Sequence, residues 1–319
     1  MKAAVLHELG KAPRCEEFAE PTAGKEEVVV KVRAASLKAI DKQLASGSHY
    51  ASPRELPVAC GTDGVGELED GARVFFGGPR RPYGAMAERT VAPRAFCFPV
   101  PAGINDDIAA ALPNPGVSAW LSLTHRAKLA AGETVLILGA TGVTGQLAVQ
   151  IAKLLGAKRA IGAGRNERVI GRLRELGADD TIQLNQPEES LKEAFAREAG
   201  DAGFDVIIDY VWGRPTEMLL AAITKSEFAK VTKETRLVQV GESAGATIAL
   251  PAAVLRSTAL TILETAGIPA REVLVDAMRQ VMTRAARGEL RIETERVALG
   301  EIESVWQRRE SGRRIVVIP

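Results

Sequence analysis

Thr134–Gly145 reads TVLILGATGVTG, and this stretch decides the fold. One threonine and four apolar residues run straight into three glycines spaced three apart, Gly139, Gly142 and Gly145. A helical pattern, QLAVQIAKLLGA, follows at Gln146–Ala157. A strand without polar alternation is buried on both faces, as in a parallel sheet covered by helices. The spacing G-x-x-G-x-x-G is a variant of the G-x-G-x-x-G turn that binds dinucleotides, with Ala140 beside the first glycine and Thr141 in the loop. Such a turn needs a residue free of Cβ at its bend and a bare backbone that a pyrophosphate can approach. The helix start that follows offers unpaired N–H groups and a positive dipole end. Gly139, Ala140, Thr141, Gly142, Val143, Thr144 and Gly145 are therefore expected to bind a dinucleotide. Glycines that only allow close helix–strand packing are the competing reading, and the βα units around the turn weigh against it.

Outward from the turn, apolar runs at Arg159–Ala163, Asp180–Leu184, Phe204–Tyr210, Arg236–Gly241 and Ala259–Leu263 alternate with helical stretches at Val143–Leu155, Glu167–Leu176, Pro187–Ala199 and Pro215–Ile223. Six strands with crossovers predict a doubly wound parallel sheet. Ligands sit outside the carboxyl ends of such strands, which nominates Tyr210 and Val211 after the fourth and Val240 and Gly241 after the fifth. About 20 residues beyond the glycines, domains that prefer NAD carry an acid for the ribose 2′-hydroxyl. This chain has Gly164-Arg165-Asn166 there, with Arg168 beyond. A guanidinium fork suits a phosphate, so NADPH is the expected cofactor. A solvated arginine at a helix start is the alternative.

Before about Pro113 the text is short strands, at Glu27–Ala34, Gly71–Phe76, Tyr83–Val91 and Ala95–Val100, punctuated by Pro and Gly as in a β-rich domain. The tail holds a helix at Ala270–Arg287, another around Glu301–Arg309 and a strand at Arg314–Ile318. It is expected to pack back on the first region, because it is too short to bury a core alone. Lys plus Arg number 41 against 40 Asp plus Glu, which gives no electrostatic case for nucleic acid or a membrane surface. Cys15, Cys60 and Cys97 are too scattered for a disulfide framework or a zinc knuckle and fit a reducing compartment. No apolar run approaches the roughly 18 residues needed to span a bilayer, and the start lacks a signal-peptide pattern, so a cytoplasmic protein is expected. The arginines at Arg308-Arg309 and Arg313-Arg314 read as a solvated face.

Several blocks in order carry a family likeness: MKAAVLHELG at Met1–Gly10, AASLKAIDKQLASG at Ala34–Gly47, CGTDGVGEL at Cys60–Leu68, LPNPGVSAW at Leu112–Trp120, the glycine turn, RELGADDTI at Arg174–Ile182 and FDVIIDYVWG at Phe204–Gly213. Together they resemble the medium-chain dehydrogenase/reductase superfamily, in its zinc-free quinone oxidoreductase and enoyl reductase branch. The resemblance implies an α/β chain in which a doubly wound Rossmann domain (116–266) is inserted in a β-rich GroES-like catalytic domain (1–115 and 267–319), with substrate in the cleft between them. It implies a homodimer through the edge strand near Ala259–Leu263. It also places Asn114 and Ser118 at the nicotinamide end, and Tyr50, with its neighbour His49, next to the loop position where enoyl reductases carry a tyrosine near the substrate.

The chain departs from the zinc-dependent relatives. Their Gly-His-Glu block is here Gly61-Thr62-Asp63, and their upstream cysteine is missing from Lys38-Ala39-Ile40-Asp41. Threonine cannot replace an imidazole in a three-ligand zinc site, so no metal is expected. A buried structural role is expected for Cys60. Lys38 stands where zinc-free relatives carry an asparagine, while Asp41 is retained. Lys38 either pairs with Asp41 or Asp63 or donates to a substrate carbonyl. Without a metal, an acceptor that spreads incoming charge is the accessible substrate, which points to a quinone, enone or other conjugated carbonyl. Tyr50 or His49 would donate to it. Two other readings stay open: an NADPH-binding sensory protein without turnover, and a metal-dependent alcohol dehydrogenase with relocated ligands.

Overall fold

The computed structural model describes residues 1–224, 234–265, 269–308 and 312–319. The expected domain boundary at 266–267 and the expected helix end at Arg309 lie outside the described residues. The chain divides into two units, one of Met1–Pro113, Met282–Gly288 and Ile292–Pro319, the other of Asn114–Val281 and Glu289–Arg291.

In the first unit, short strands β1 (Lys2–Leu6), β2 (Arg14–Glu17) and β3 (Glu27–Ser36) lead into helix α1 (Ala39–Ser46). Strands β4 (Val58–Ala59), β5 (Asp63–Glu67), β6 (Arg73–Gly77), β7 (Arg89–Pro93) and β8 (Cys97–Pro99) follow, then α2 (Asp106–Ala111). The helices at α1 and α2 are absent from the sequence expectation, since six to eight residues give too little periodicity to read.

In the second unit, α3 (Pro113–Leu121) carries Pro113 and Pro115 in its first turn, where a missing N–H costs no helical bond. Then come β9 (Thr134–Leu138), α4 (Val143–Leu154), β10 (Arg159–Gly164), α5 (Glu167–Ile170), β11 (Asp180–Gln183), α6 (Glu188–Ala199), β12 (Val206–Asp209), α7 (Gly213–Ile223), β13 (Thr235–Gln239), α8 (Ala252–Ser257), β14 (Leu260–Leu263) and α9 (Arg271–Ala286), whose residues from Met282 on belong to the first unit. All five strand pairings are parallel, in the order β11-β10-β9-β12-β13-β14. That is the 3-2-1-4-5-6 order of a doubly wound sheet, with its switch point between β9 and β12. Val135 to Leu138 on β9 and Val206 to Ile208 on β12 have no accessible surface, as strands covered on both faces require. Helix α5 is shorter than the sequence suggests, because from Arg172 the backbone closes i to i−3 bonds instead of continuing the α pattern.

The tail supplies β15 (Thr294–Ala298), α10 (Ile302–Trp306) and β16 (Arg314–Ile318) to the first unit. Strand β16 pairs antiparallel with β3, Val316 opposite Ser36 and Val317 opposite Ala35, so chain end and chain start share one sheet. This register buries Arg314, whose guanidinium donates to the carbonyl of Leu37 (3.1 Å). The reading of Arg313-Arg314 as a solvated face is thus wrong for Arg314: in a strand alternate side chains turn inward, and the residue that opens β16 faces the core. The fold class is the expected one, a parallel Rossmann-like sheet in one unit and, in the other, GroES-like sheets that are antiparallel except where β15 pairs with β16. Among the described residues no helix is long and apolar enough to cross a membrane.

Candidate functional site

Each glycine of the turn between β9 and α4 has its own physical role. Gly139 has φ +85°, a conformation other residues rarely adopt, and its N–H donates to Ala163 (2.9 Å). A Cβ on Gly145 would lie 2.3 Å from the carbonyl oxygen of Gly139, so Gly145 is bare to let α4 pack against the strand end. Gly142 is different. Its φ is −77°, open to any residue, and a Cβ there would meet only the Gly139 oxygen, at 3.3 Å. Gly142, the N-cap of α4, needs no left-handed backbone, and a Cβ there would press the Gly139 oxygen far less than one at Gly145 would; its missing side chain leaves the residue exposed at the start of α4. No side chain caps that start, where the first N–H groups belong to Val143, Thr144 and Gly145. Val143 and Ala140 bury their side chains, so they have only backbone to offer a ligand.

The carboxyl ends of the neighbouring strands close around this turn. A Cβ on Gly164 would strike Thr141 at 2.2 Å, and the Cβ position of Gly139 lies 3.0 Å from Val211 and 3.2 Å from the Tyr210 side chain. Gly241 is bare against the Tyr210 carbonyl (2.7 Å), and the N–H groups of Val240 and Gly241 both donate to the carbonyl of Asp209 (2.8 and 3.1 Å). Val211 is a core residue packed over Gly139, not a ligand-facing side chain. The Tyr210 hydroxyl is buried without a hydrogen-bond partner, and burial pushes its pKa up. A buried hydroxyl left unsatisfied costs about 1–3 kcal/mol, which a ligand or water at the switch point would recover.

Arg165 follows Gly164 at the end of β10 and is exposed; among the described residues no carboxylate pairs with its guanidinium. Its carbonyl is fixed by the side chains of Gln183 (3.2 Å) and Asn185 (3.3 Å). Asn166 caps α5 through its side-chain oxygen, which accepts from Val169 N–H (3.3 Å). Asn114 and Ser118 lie four residues apart on one face of α3, exposed and half-buried.

In the turn after β12, where Tyr210 and Val211 were nominated, sequence reasoning missed Asp209 and Trp212. Asp209 is fully buried and accepts from the N–H groups of Val211 and Trp212 (both 2.8 Å) and from the Thr216 hydroxyl. Burial, partly offset by these bonds, raises its pKa. Trp212 there has φ +53°, a conformation costly for a bulky residue and held by the Asp209 carboxylate. The only sequence signal is the acid ending an otherwise apolar strand.

In the first unit the four expected catalytic residues separate into two pairs. Lys38 is only 2% exposed; its ammonium donates to Asp63 Oδ1 (2.8 Å) and Ser36 O (3.0 Å), and approaches Ser36 Oγ and Asp41 Oδ2 (both 3.3 Å). Asp41 Oδ2 also accepts from Lys38 N–H (2.8 Å), and its Oδ1 accepts the N–H and hydroxyl of Thr62 (both 3.0 Å). Burial alone would lower the Lys38 pKa, but the charges of Asp41 and Asp63 outweigh it and hold the ammonium above its usual value. Burial, with the Asp41 charge, pushes Asp63 up against the pull of Lys38. Cys60 beside this cluster is buried, its thiol pushed up by burial and by Asp41, so it is a poor nucleophile. Beyond α1, about 12 Å long, His49 and Tyr50 stack with ring centres 4.2 Å apart, and Tyr50 is 97% exposed. A pocket of about 160 Å³ is lined by α1, Cys60–Thr62, Arg81 and Tyr83. That is below the roughly 300 Å³ of typical ligand pockets.

Residues 143–282 match the family model described as zinc-binding dehydrogenase. The chain is 30% identical over 266 residues to the quinone oxidoreductase-like protein 2 of Bos taurus, covering 80% of this chain and 72% of that protein. It is 29% identical over 265 residues to a homolog of that protein from Nematostella vectensis, covering 80% and 69%. The solved quinone oxidoreductase of Thermus thermophilus, determined alone and in complex with NADPH, superposes with a TM-score of 0.80 at 27% identity over the full length of both chains.

The glycine roles separate by substitution. Gly145→Ala is expected to destabilise the protein by about 1–3 kcal/mol through overpacking. Gly142→Ala is expected to stay within about 1 kcal/mol of wild type yet lose dinucleotide binding. Thermal denaturation and a fluorescence titration with NADPH read the two effects. Full binding by Gly142→Ala would show that the open approach is not the pyrophosphate site.

Proposed function

Because the chain belongs to the quinone oxidoreductase-like branch of the medium-chain dehydrogenase/reductase superfamily, we propose that it is a zinc-independent, NADPH-dependent reductase of quinones, enones or other conjugated carbonyls. The observation that carries the reading is Gly142: an exposed residue without a side chain and without a left-handed backbone to explain it, in front of a helix start that no side chain caps, at the switch point. The residues fit a nicotinamide dinucleotide. The N–H groups of Val143, Thr144 and Gly145 would hold its pyrophosphate, with Ala140 and Thr141 shaping the loop. Tyr210 would satisfy its buried hydroxyl on the cofactor. Arg165, beyond Gly164 and positioned by Asn166, would read the 2′-phosphate. Asn114 and Ser118 are assigned to the nicotinamide end, and the strand ends at Val211, Val240 and Gly241 form the floor. When bound, NADPH supplies a hydride, and one proton completes reduction of the acceptor.

The chemistry of the residues present argues against zinc: Thr62 offers a hydroxyl where an imidazole ligand would be needed, and the Lys38 ammonium already lies against Asp41 and Asp63. Among the described residues no group of three or more His, Cys, Asp or Glu is placed to hold a metal. A quinone or enone needs only hydrogen-bond donors to stabilise the charge that develops on its oxygen. We assign that donation to Tyr50, backed by His49, with Lys38 and Asp41 as positioning residues at the other end of α1. Free Cys15, Cys60 and Cys97 suit the reducing cytoplasm. Strand β14, with Ile262 37% exposed on the sheet edge, is assigned to a two-fold homodimer contact.

Chelator-treated protein is expected to consume NADPH with a small quinone or an enone and to leave a simple aldehyde untouched. Activity with the aldehyde that returns only on adding zinc would replace this reading with a metal-dependent dehydrogenase. Tight NADPH binding without turnover of any acceptor would replace it with a sensory protein. Arg165→Ala should weaken NADPH by about 1.5–3 kcal/mol and leave NADH nearly unchanged; equal losses would remove Arg165 from phosphate recognition. Tyr50→Phe should slow turnover roughly 10²-fold with cofactor affinity preserved, and an unchanged rate would exclude its hydroxyl from the chemistry. Sedimentation at falling protein concentration should resolve a dimer, whereas a concentration-independent monomer would refute the β14 contact.

A further inference from the structure

We propose that the Lys38 ammonium is a built-in cation that fills the space a metal ion would take between Asp41 and Asp63, so that this side chain actively excludes a divalent ion. The proposal rests on the zinc-independent reading above and gives it a cause within the chain. Losing a histidine and a cysteine removes a zinc site. It does not by itself explain why two carboxylates remain buried side by side, one of them fully shielded.

The geometry around Nζ resembles a coordination shell. Four oxygens from three elements surround it at 2.8 to 3.3 Å: Asp63 from the start of β5, Asp41 from α1, and the carbonyl and hydroxyl of Ser36 from the end of β3. Two carboxylates, a carbonyl and a hydroxyl are hard oxygen donors, the class that takes magnesium, calcium or manganese and not the nitrogen and sulfur set typical of zinc. An ammonium meets three of these oxygens with its three N–H groups, Asp63 Oδ1 and both oxygens of Ser36, and the fourth, Asp41 Oδ2, through its positive charge.

Charge balance points the same way. Asp41 and Asp63 bring two negative charges into the interior; Lys38 brings one positive charge and the buried Arg314, within Coulomb range of both Lys38 and Asp63, brings the other. Buried carboxylates stripped of a counter-charge are strongly destabilising and draw in a proton or a cation. The remaining Asp41 oxygen is tied to Thr62, at the position where zinc-dependent relatives place their histidine. Lys38 therefore joins β3, α1 and β5 at the start of α1, the helix whose far end leads into the loop bearing His49 and Tyr50.

Removing the side chain should convert the cluster into a cation site. Wild-type protein is expected to bind no manganese in equilibrium dialysis. Lys38→Ala should bind one manganese ion per chain, with affinity higher by roughly tenfold or more, and its Tm should rise on adding manganese or propylammonium but not propanol. Lys38→Met keeps the volume and removes the charge, so it should lose stability and gain no ion. In the double variant Lys38→Ala with Asp63→Asn, the gained manganese site should disappear. If Lys38→Ala folds only when refolded with manganese or propylammonium, that recovery supports the proposal equally. The proposal is overturned if Lys38→Ala neither binds manganese nor responds to propylammonium, or if wild type binds manganese as tightly as the variant. NADPH turnover is a separate readout: a protein inactive toward every acceptor but with these ion-binding changes would refute the reductase reading and leave the built-in cation standing.

Discussion

The carbonyl oxygen of Gly139 and the α-carbon of Gly145 sit so close that no side chain fits between them, and the second unit is built around that contact. It seats the start of α4 on the end of β9, one of the two central strands of a parallel sheet, with no accessible surface from Val135 to Leu138. With the helix held there, β12 aligns beside β9 and the switch point opens above the turn. The bare backbone at Gly142 and the uncapped N–H groups behind it are consequences of that seating. A fold that must bring a helix onto a strand end without a Cβ creates, one turn along, a surface suited to a phosphate.

The first unit depends on a different constraint, the neutrality of a buried charge cluster. One cluster of buried apolar side chains joins its two sheets, and beside that core polar contacts pin the ends of β3, α1 and β5. Lys38, Asp41, Asp63 and Thr62, with Arg314 on the returning strand, perform that pinning. The chain end reaches β3 through β16 and delivers the second positive charge, so the closing of the sheet and the balancing of the cluster are one event. An interior with two acids and two bases carries a large desolvation penalty, and such clusters set geometry more than they add stability.

The second unit was legible because its signals are local. TVLIL, the glycines and the helix after them lie in one run, and the period changes from continuous burial to 3.6 within a few residues. Tyr210, Val240 and Gly241 could be nominated because a parallel sheet puts its ligand at strand ends. The charge cluster was only half legible. A pairing of Lys38 with Asp41 or Asp63 could be offered from the family pattern, but not the bonds of Thr62 to Asp41, nor Arg314, which joins from the far end of the chain. No spacing rule connects residues brought together by an antiparallel register, and an arginine pair near a chain end looks like solvated surface until its strand is placed. Asp209 and Trp212 were missed for a related reason: the strain at Trp212 exists only once β12 has been followed into α7.

The direct test of the central claim, that a phosphorylated dinucleotide sits on the opening at Gly142 with its 2′-phosphate at Arg165, is calorimetric titration of the wild-type protein with NADPH and with NADH at one salt concentration. NADPH should bind as one molecule per chain and roughly tenfold or more tighter than NADH, the difference shrinking as salt is raised. Equal affinity for the two, or binding of neither, would contradict the claim.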